Sequence, residues 1–175
     1  MIAFITELLS SGSLHRAAAG LLLLIGGVAF AVCALALSFI DLREHRLPNR
    51  IIYPWAVIAL GLLIPTALLL GQPSAALRAL AAALVWGGVF LLVRLAAPPA
   101  LGMGDVKLSV VLGLYTGFLG WDTVLAAVVL SFLLGGLVST GLLVSGRGTA
   151  KTAVPFGPFL LVGTAIALML SGGTH

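Results

Sequence analysis

The feature that most constrains this fold is a series of continuous apolar runs, parted by short clusters of proline, glycine and charge. A helix needs about 20 apolar residues to cross a hydrocarbon core. The chain divides into six such stretches, near 17–40, 51–70, 75–96, 105–121, 123–144 and 153–171. The breaks fall at Arg43 to Arg50, Gly71 to Ser74, Pro98 to Gly104, Trp121–Asp122 and Ser145 to Lys151, residue types that interrupt helices. The runs are continuous rather than alternating, which argues against a β-barrel. Charged residues make up only 8% and the mean hydropathy is +1.25, whereas a soluble domain carries about 25% charge. The prediction is an all-α, polytopic integral membrane protein: a six-helix transmembrane bundle in one domain over 1–175, with 1–16 as a short interfacial segment. That segment lacks the basic start and long apolar core of a cleavable signal.

Orientation follows from the cations. The breaks after spans one, three and five hold Arg43, Arg46, Arg50, Arg94, Lys107, Arg147 and Lys151, against Arg16 and Arg78 on the other side. Short basic loops stay cytoplasmic, so both termini are expected outside and that basic side inside. The net charge of +4 belongs to this pattern and to contact with membrane lipids. No basic run with interleaved aromatics points to nucleic acid. Cys33 is the single cysteine, which excludes an internal disulfide or a cysteine metal framework.

Against this background two carboxylates stand out. The chain has five acidic residues, and Asp41 and Asp105 both abut apolar runs on the predicted cytoplasmic side. An ionisable group at membrane depth is costly and marks a candidate functional site. Asp41 closes the first span in Ile40-Asp41-Leu42, before Leu47-Pro48-Asn49, where proline forces a turn. An interfacial charge paired with Arg43 or Arg46 is the plainer reading. Asp105 lies in Gly102-Met103-Gly104-Asp105, at the start of the fourth span, where the helix dipole favours an anion; an ordinary N-cap aspartate is the alternative. A third segment, Val154-Pro155-Phe156-Gly157-Pro158-Phe159, is a broken helix start that a membrane tolerates where protein covers it, or a simple proline-led first turn.

Together these segments resemble the type IV prepilin leader peptidases, membrane aspartic proteases with a G-x-G-D signature. The pieces are I-D-x5-L-P-N, G-M-G-D-V-K-L with the Gly113/Gly117 helix, and V-P-F-G-P-F-L, in the family's order from Ile40 to Leu170. The resemblance implies that Asp41 and Asp105 are the catalytic pair. It implies an enzyme of the bacterial cytoplasmic membrane that cuts the short basic leader from prepilins or pseudopilins at the cytoplasmic face, just before the pilin's hydrophobic helix, in type IV pilus or protein-secretion systems. Larger members carry an N-terminal domain with paired C-x-x-C motifs and also methylate the new N-terminus. This sequence has no such pair, so the expectation is a compact, peptidase-only form.

Supporting roles are expected for Gly102, Gly104, Pro48, Asn49, Pro155 and Gly157 in placing the two carboxylates. Lys107 stabilises the Asp105 anion or snorkels to a lipid head group. Glu44 attracts the basic leader or pairs with a nearby arginine. Gly113 and Gly117 allow close helix packing, Pro65 kinks the second span, Trp55 and Trp121 fit an aromatic belt, and Trp86 packs within the bundle. Two close carboxylates share a proton, one acting as base and the other as acid. Their helix ends suggest Asp105 as the initial base and Asp41 as the protonated partner. The chemistry demands no metal and no cofactor.

Three rivals remain open. Asp41, Glu44 and His45 could share a face and hold zinc, although no H-E-x-x-H is present. A small ion-coupled transporter would use Asp41 and Asp105 as ion sites, and a non-catalytic assembly factor would keep the fold alone. Oligomeric state is not encoded legibly.

Overall fold

The computed structural model describes residues 1–98, 101–145 and 155–171. Pro99, Arg147, Lys151 and Val154 lie outside the described residues. Within them the chain forms seven helices: α1 (Ile2–Ser10), α2 (Leu14–Glu44), α3 (Asn49–Leu69), α4 (Pro73–Ala96), α5 (Met103–Leu119), α6 (Trp121–Val144) and α7 (Gly157–Leu170). No strand occurs among the described residues. The predicted spans correspond in order to α2–α7, and α1 is the short N-terminal segment. Four of them, α2, α3, α4 and α6, are long and apolar enough to cross a membrane, and the chain is a multi-pass membrane protein.

The helix boundaries follow from local chemistry. His45 closes α2 in a left-handed conformation, φ 51°. Pro48 then stands extended as the N-cap of α3, as its restricted backbone requires. Pro73 begins α4, where a missing N–H costs nothing. With 31 residues, α2 is about 46 Å long at about 1.5 Å per residue. That exceeds a hydrocarbon core of about 30 Å, so a helix end carrying Asp41 can reach an interface.

The core is built around α5, which contacts α3, α4, α6 and α7. Its residues from Val111 through Leu119 are all buried. Small residues allow this. A Cβ on Gly113 would lie 2.6 Å from the Ala83 backbone, and one on Gly117 would lie 2.4 Å from Ala82 Cβ. In lipid, helices gain nothing by burying apolar surface from water, so such close backbone approach supplies the association energy. Arg78, in the first turns of α4, donates to the carbonyls of Gly117 and Phe118, both at 2.8 Å. It thereby satisfies two carbonyls at the end of α5 that the helix leaves unpaired.

The tryptophans correct the sequence reading in one place. Trp121 is 45% exposed and Trp86 is buried, as expected. Trp55 is only 1% exposed and does not belong to a belt. It packs edge-on against Phe30 and donates from Nε1 to the Tyr115 hydroxyl at 3.1 Å, which itself donates to the Gly26 carbonyl at 3.2 Å. An indole N–H needs a partner when buried, and Tyr115 on α5 supplies it.

Candidate active site

Asp41 lies in the last turn of α2 and Asp105 in the first turn of α5. Both are buried, at 5% and 9% exposure. They line one cavity of about 580 Å³. Sixty-four positions apart in sequence, they meet because α2 and α5 bring opposite helix ends to the same end of the bundle.

Each carboxylate is held by a glycine N–H. The Gly102 N–H donates to Asp105 Oδ2 at 3.2 Å. Gly102 is the N-cap of α5 and Asp105 the third helical residue, so Asp105 reaches back from inside the helix rather than capping it. The Gly157 N–H, at the start of α7, donates to Asp41 Oδ2, also at 3.2 Å. Among the described residues neither Arg43 nor Arg46 pairs with Asp41. The α7 contact alters the expected asymmetry: Asp41 ends one helix but faces the positive end of another. Helix ends therefore distinguish the two aspartates less than α2 and α5 alone would.

Glycine is required at these positions for space. A Cβ on Gly157 would fall 2.6 Å from Asp41 Oδ2, and one on Gly104 would fall 2.7 Å from Leu47 Cβ. Leu47 Cδ1 is also 3.4 Å from the Gly157 Cβ position. Leu47 thus sits between the starts of α5 and α7 and spaces them. In the sequence it stood in the L-P-N piece of the resemblance, with no spacing role assigned to it.

The other expected residues divide. Gly102, Gly104, Asn49, Lys107 and Pro155 line the cavity; Pro48 and Glu44 do not. Lys107 Nζ donates to Asn49 Oδ1 at 2.9 Å and lies 5.2 Å from the Tyr53 ring centre, bonding across to α3 instead of to Asp105. His45, Arg46, Leu101, Met103 and Phe156 also line the cavity; the sequence had marked His45 and Arg46 for other roles and Met103 and Phe156 only as members of quoted motifs, and Leu101 not at all. Among the described residues no three His, Cys, Asp or Glu side chains gather as a metal site, and Glu44 and His45 do not converge with Asp41 as one. Two carboxylates of limited solvent access thus share one cavity, a setting compatible with acid/base chemistry.

Comparison with known proteins bears on this site. Residues 28–140 match the model of the type IV leader peptidase family, a span that includes both aspartates. The chain is similar to the prepilin leader peptidase/N-methyltransferase of Burkholderia pseudomallei (strain 1026b), 34% identical over 170 residues, covering 91% of this chain and 52% of that protein. The protein of the same name from Aeromonas salmonicida (strain A449) is 33% identical over 140 residues, covering 77% and 45%. That of Pseudomonas putida is 33% identical over 141 residues, covering 77% and 46%. The chain spans about half the length of these curated relatives. No solved structure is a significant match.

Proposed function

This chain belongs to the type IV leader peptidase family, and we propose that it is a membrane aspartic endopeptidase. It removes the short basic leader from prepilins or pseudopilins at the cytoplasmic face of a bacterial cytoplasmic membrane, with Asp41 and Asp105 as its catalytic pair. The observation that carries this reading is that the two buried aspartates line a single cavity. The proposal covers the peptidase activity alone and assigns no methylation chemistry.

Two carboxylates in one poorly solvated site do not both ionise cheaply, so one keeps its proton. The ionised aspartate takes a proton from water as the oxygen attacks the scissile carbonyl. The protonated one polarises the carbonyl oxygen and later supplies a proton to the departing amine. The N–H groups of Gly102 and Gly157 each occupy one carboxylate oxygen and fix its orientation. The remaining oxygens are available to water and substrate. The pair titrates as a unit. Basic breaks on the aspartate side support a cytoplasmic site with both termini outside.

The test is leader removal from a prepilin co-reconstituted with the protein in liposomes, comparing wild type with Asp41→Asn and Asp105→Asn. Each variant is expected to fold and to lose cleavage. Cleavage retained by both would overturn the dyad.

A further inference from the structure

A second cavity, of about 550 Å³, lies between α4 and α6. Leu101 and Phe156 line both cavities. Each directly precedes the glycine whose N–H holds an aspartate, Gly102 for Asp105 and Gly157 for Asp41. The two spaces therefore meet at the backbone that positions the carboxylates.

The second cavity is an apolar groove. On α4, Val85, Val89 and Val93 form a stripe at helical spacing, and on α6 Leu125 and Phe132 face it. Val89 and Leu125 are 51% and 63% exposed, while Trp86 and Phe90 are buried. No ionisable side chain lines it. At the end near the active site, Phe156 packs on Phe132 with ring centres 5.3 Å apart, and on Phe90 at 6.4 Å. Gly135 on α6 makes room for Phe156, since a Cβ there would lie 3.2 Å from its ring. The stripe on α6 runs from Trp121 to Phe132, a rise of about 16 Å, or three helical turns. The buried Nε1–H of Trp86 has no hydrogen-bond partner, an unpaired donor in an apolar wall.

We infer that this groove seats the apolar helix of the substrate that adjoins the scissile bond. The chain passes Leu101 and Phe156 to place that bond between Asp41 and Asp105. This rests on the peptidase reading and adds to it where the membrane-embedded part of the substrate lies. An apolar helix recognised in a groove is held by side chains at positions such as i, i+4 and i+7. Within lipid, fit rather than hydrophobic transfer must supply the affinity, and a valine stripe opposite a phenylalanine-lined wall provides shape to fit.

The probe is a synthetic segment with a basic leader, the cleavage site and an apolar helix of about 20 residues. It is reconstituted in lipid nanodiscs with the full chain. Val89→Trp and Leu125→Trp fill the groove from its exposed rim without touching the aspartates. The expected result is a KM raised about tenfold or more with kcat changed less than about threefold, a loss of binding energy rather than of chemistry. An unchanged KM in folded variants overturns the proposal. In parallel, a photo-cross-linking residue at Val89 in the Asp105→Asn protein is expected to capture the apolar part of the probe. The same residue at Val28, in an apolar recess between α2 and α7, serves as the control. Capture of lipid only, or equal capture of the probe at Val28, overturns the proposal even if the tryptophan variants fail to fold. Capture of the probe at Val89, with a wild type that never cleaves it, would instead overturn the peptidase reading and leave the groove assignment standing.

Discussion

The Gly157 N–H meets Asp41 Oδ2 at 3.2 Å, 116 positions along the chain. This contact ties the end of α2 to the start of α7 and fixes the orientation of one carboxylate of the pair. It also leaves no room for a side chain, because a Cβ on Gly157 would lie 2.6 Å from that oxygen.

Gly157→Ala is therefore expected to displace the Asp41 carboxylate. Misplacing a catalytic group by about 1 Å can cost about 100-fold in rate. A fall in kcat of that order is expected with KM little changed, measured as leader removal in liposomes. Near-wild-type kcat in the alanine variant would show that Gly157 does not position Asp41.

The two-carboxylate mechanism needs one aspartate ionised and one protonated. Lowering the pH protonates the base, and raising it ionises the acid, so activity should fall on both sides of an optimum. The two limbs belong to the pair and not to either residue alone. A profile of kcat/KM that stays flat from acid to alkaline pH, in a protein that remains folded, would contradict the mechanism.

Gly113 sets the α4–α5 distance, with its Cβ position 2.6 Å from Ala83 Cα. Gly113→Ala should destabilise the bundle by about 1–3 kcal/mol, the usual cost of overpacking. Thermal unfolding in nanodiscs measures this directly. The folded fraction should keep its kcat, because neither Gly113 nor Ala83 lines the cavity that holds the aspartates.

Arg78 and Asp105 mark opposite ends of α5, about 25 Å long for its 17 residues at about 1.5 Å each. Arg78→Leu removes two hydrogen bonds to carbonyls and should cost about 3 kcal/mol in stability, at about 1.5 kcal/mol for each charged hydrogen bond. Cleavage by the folded protein should be unaffected. A selective loss of kcat would mean that the far end of α5 communicates with the site.

Tyr115→Phe leaves the buried Trp55 N–H without its acceptor. The expected loss is about 1 kcal/mol, since hydrogen bonds between membrane helices average less than their burial suggests. Adding Trp55→Phe should restore part of it by removing the stranded donor. A double variant less stable than the sum of the singles would contradict this account of the pair.

The sequence by itself determined the class, the order of the spans and the two aspartates at helix ends. A bilayer requires every backbone group to be satisfied within its own helix. That requirement writes apolar length and Pro, Gly or charged breaks directly into the linear pattern. The starts of α3 and α5 were legible for this reason to within two residues, read at 51 and 105 and found at Asn49 and Met103, as was the need for Gly113 and Gly117 to pack closely. Tertiary structure alone decided that Leu47 separates the starts of α5 and α7, that Lys107 reaches Asn49 rather than Asp105, and that Trp55 is buried against Tyr115. It also placed Asp41 before the start of α7, weakening the asymmetry its own helix implied. These are contacts between helices distant in sequence. Their partners are selected by shape and free volume in three dimensions, which no local periodicity carries.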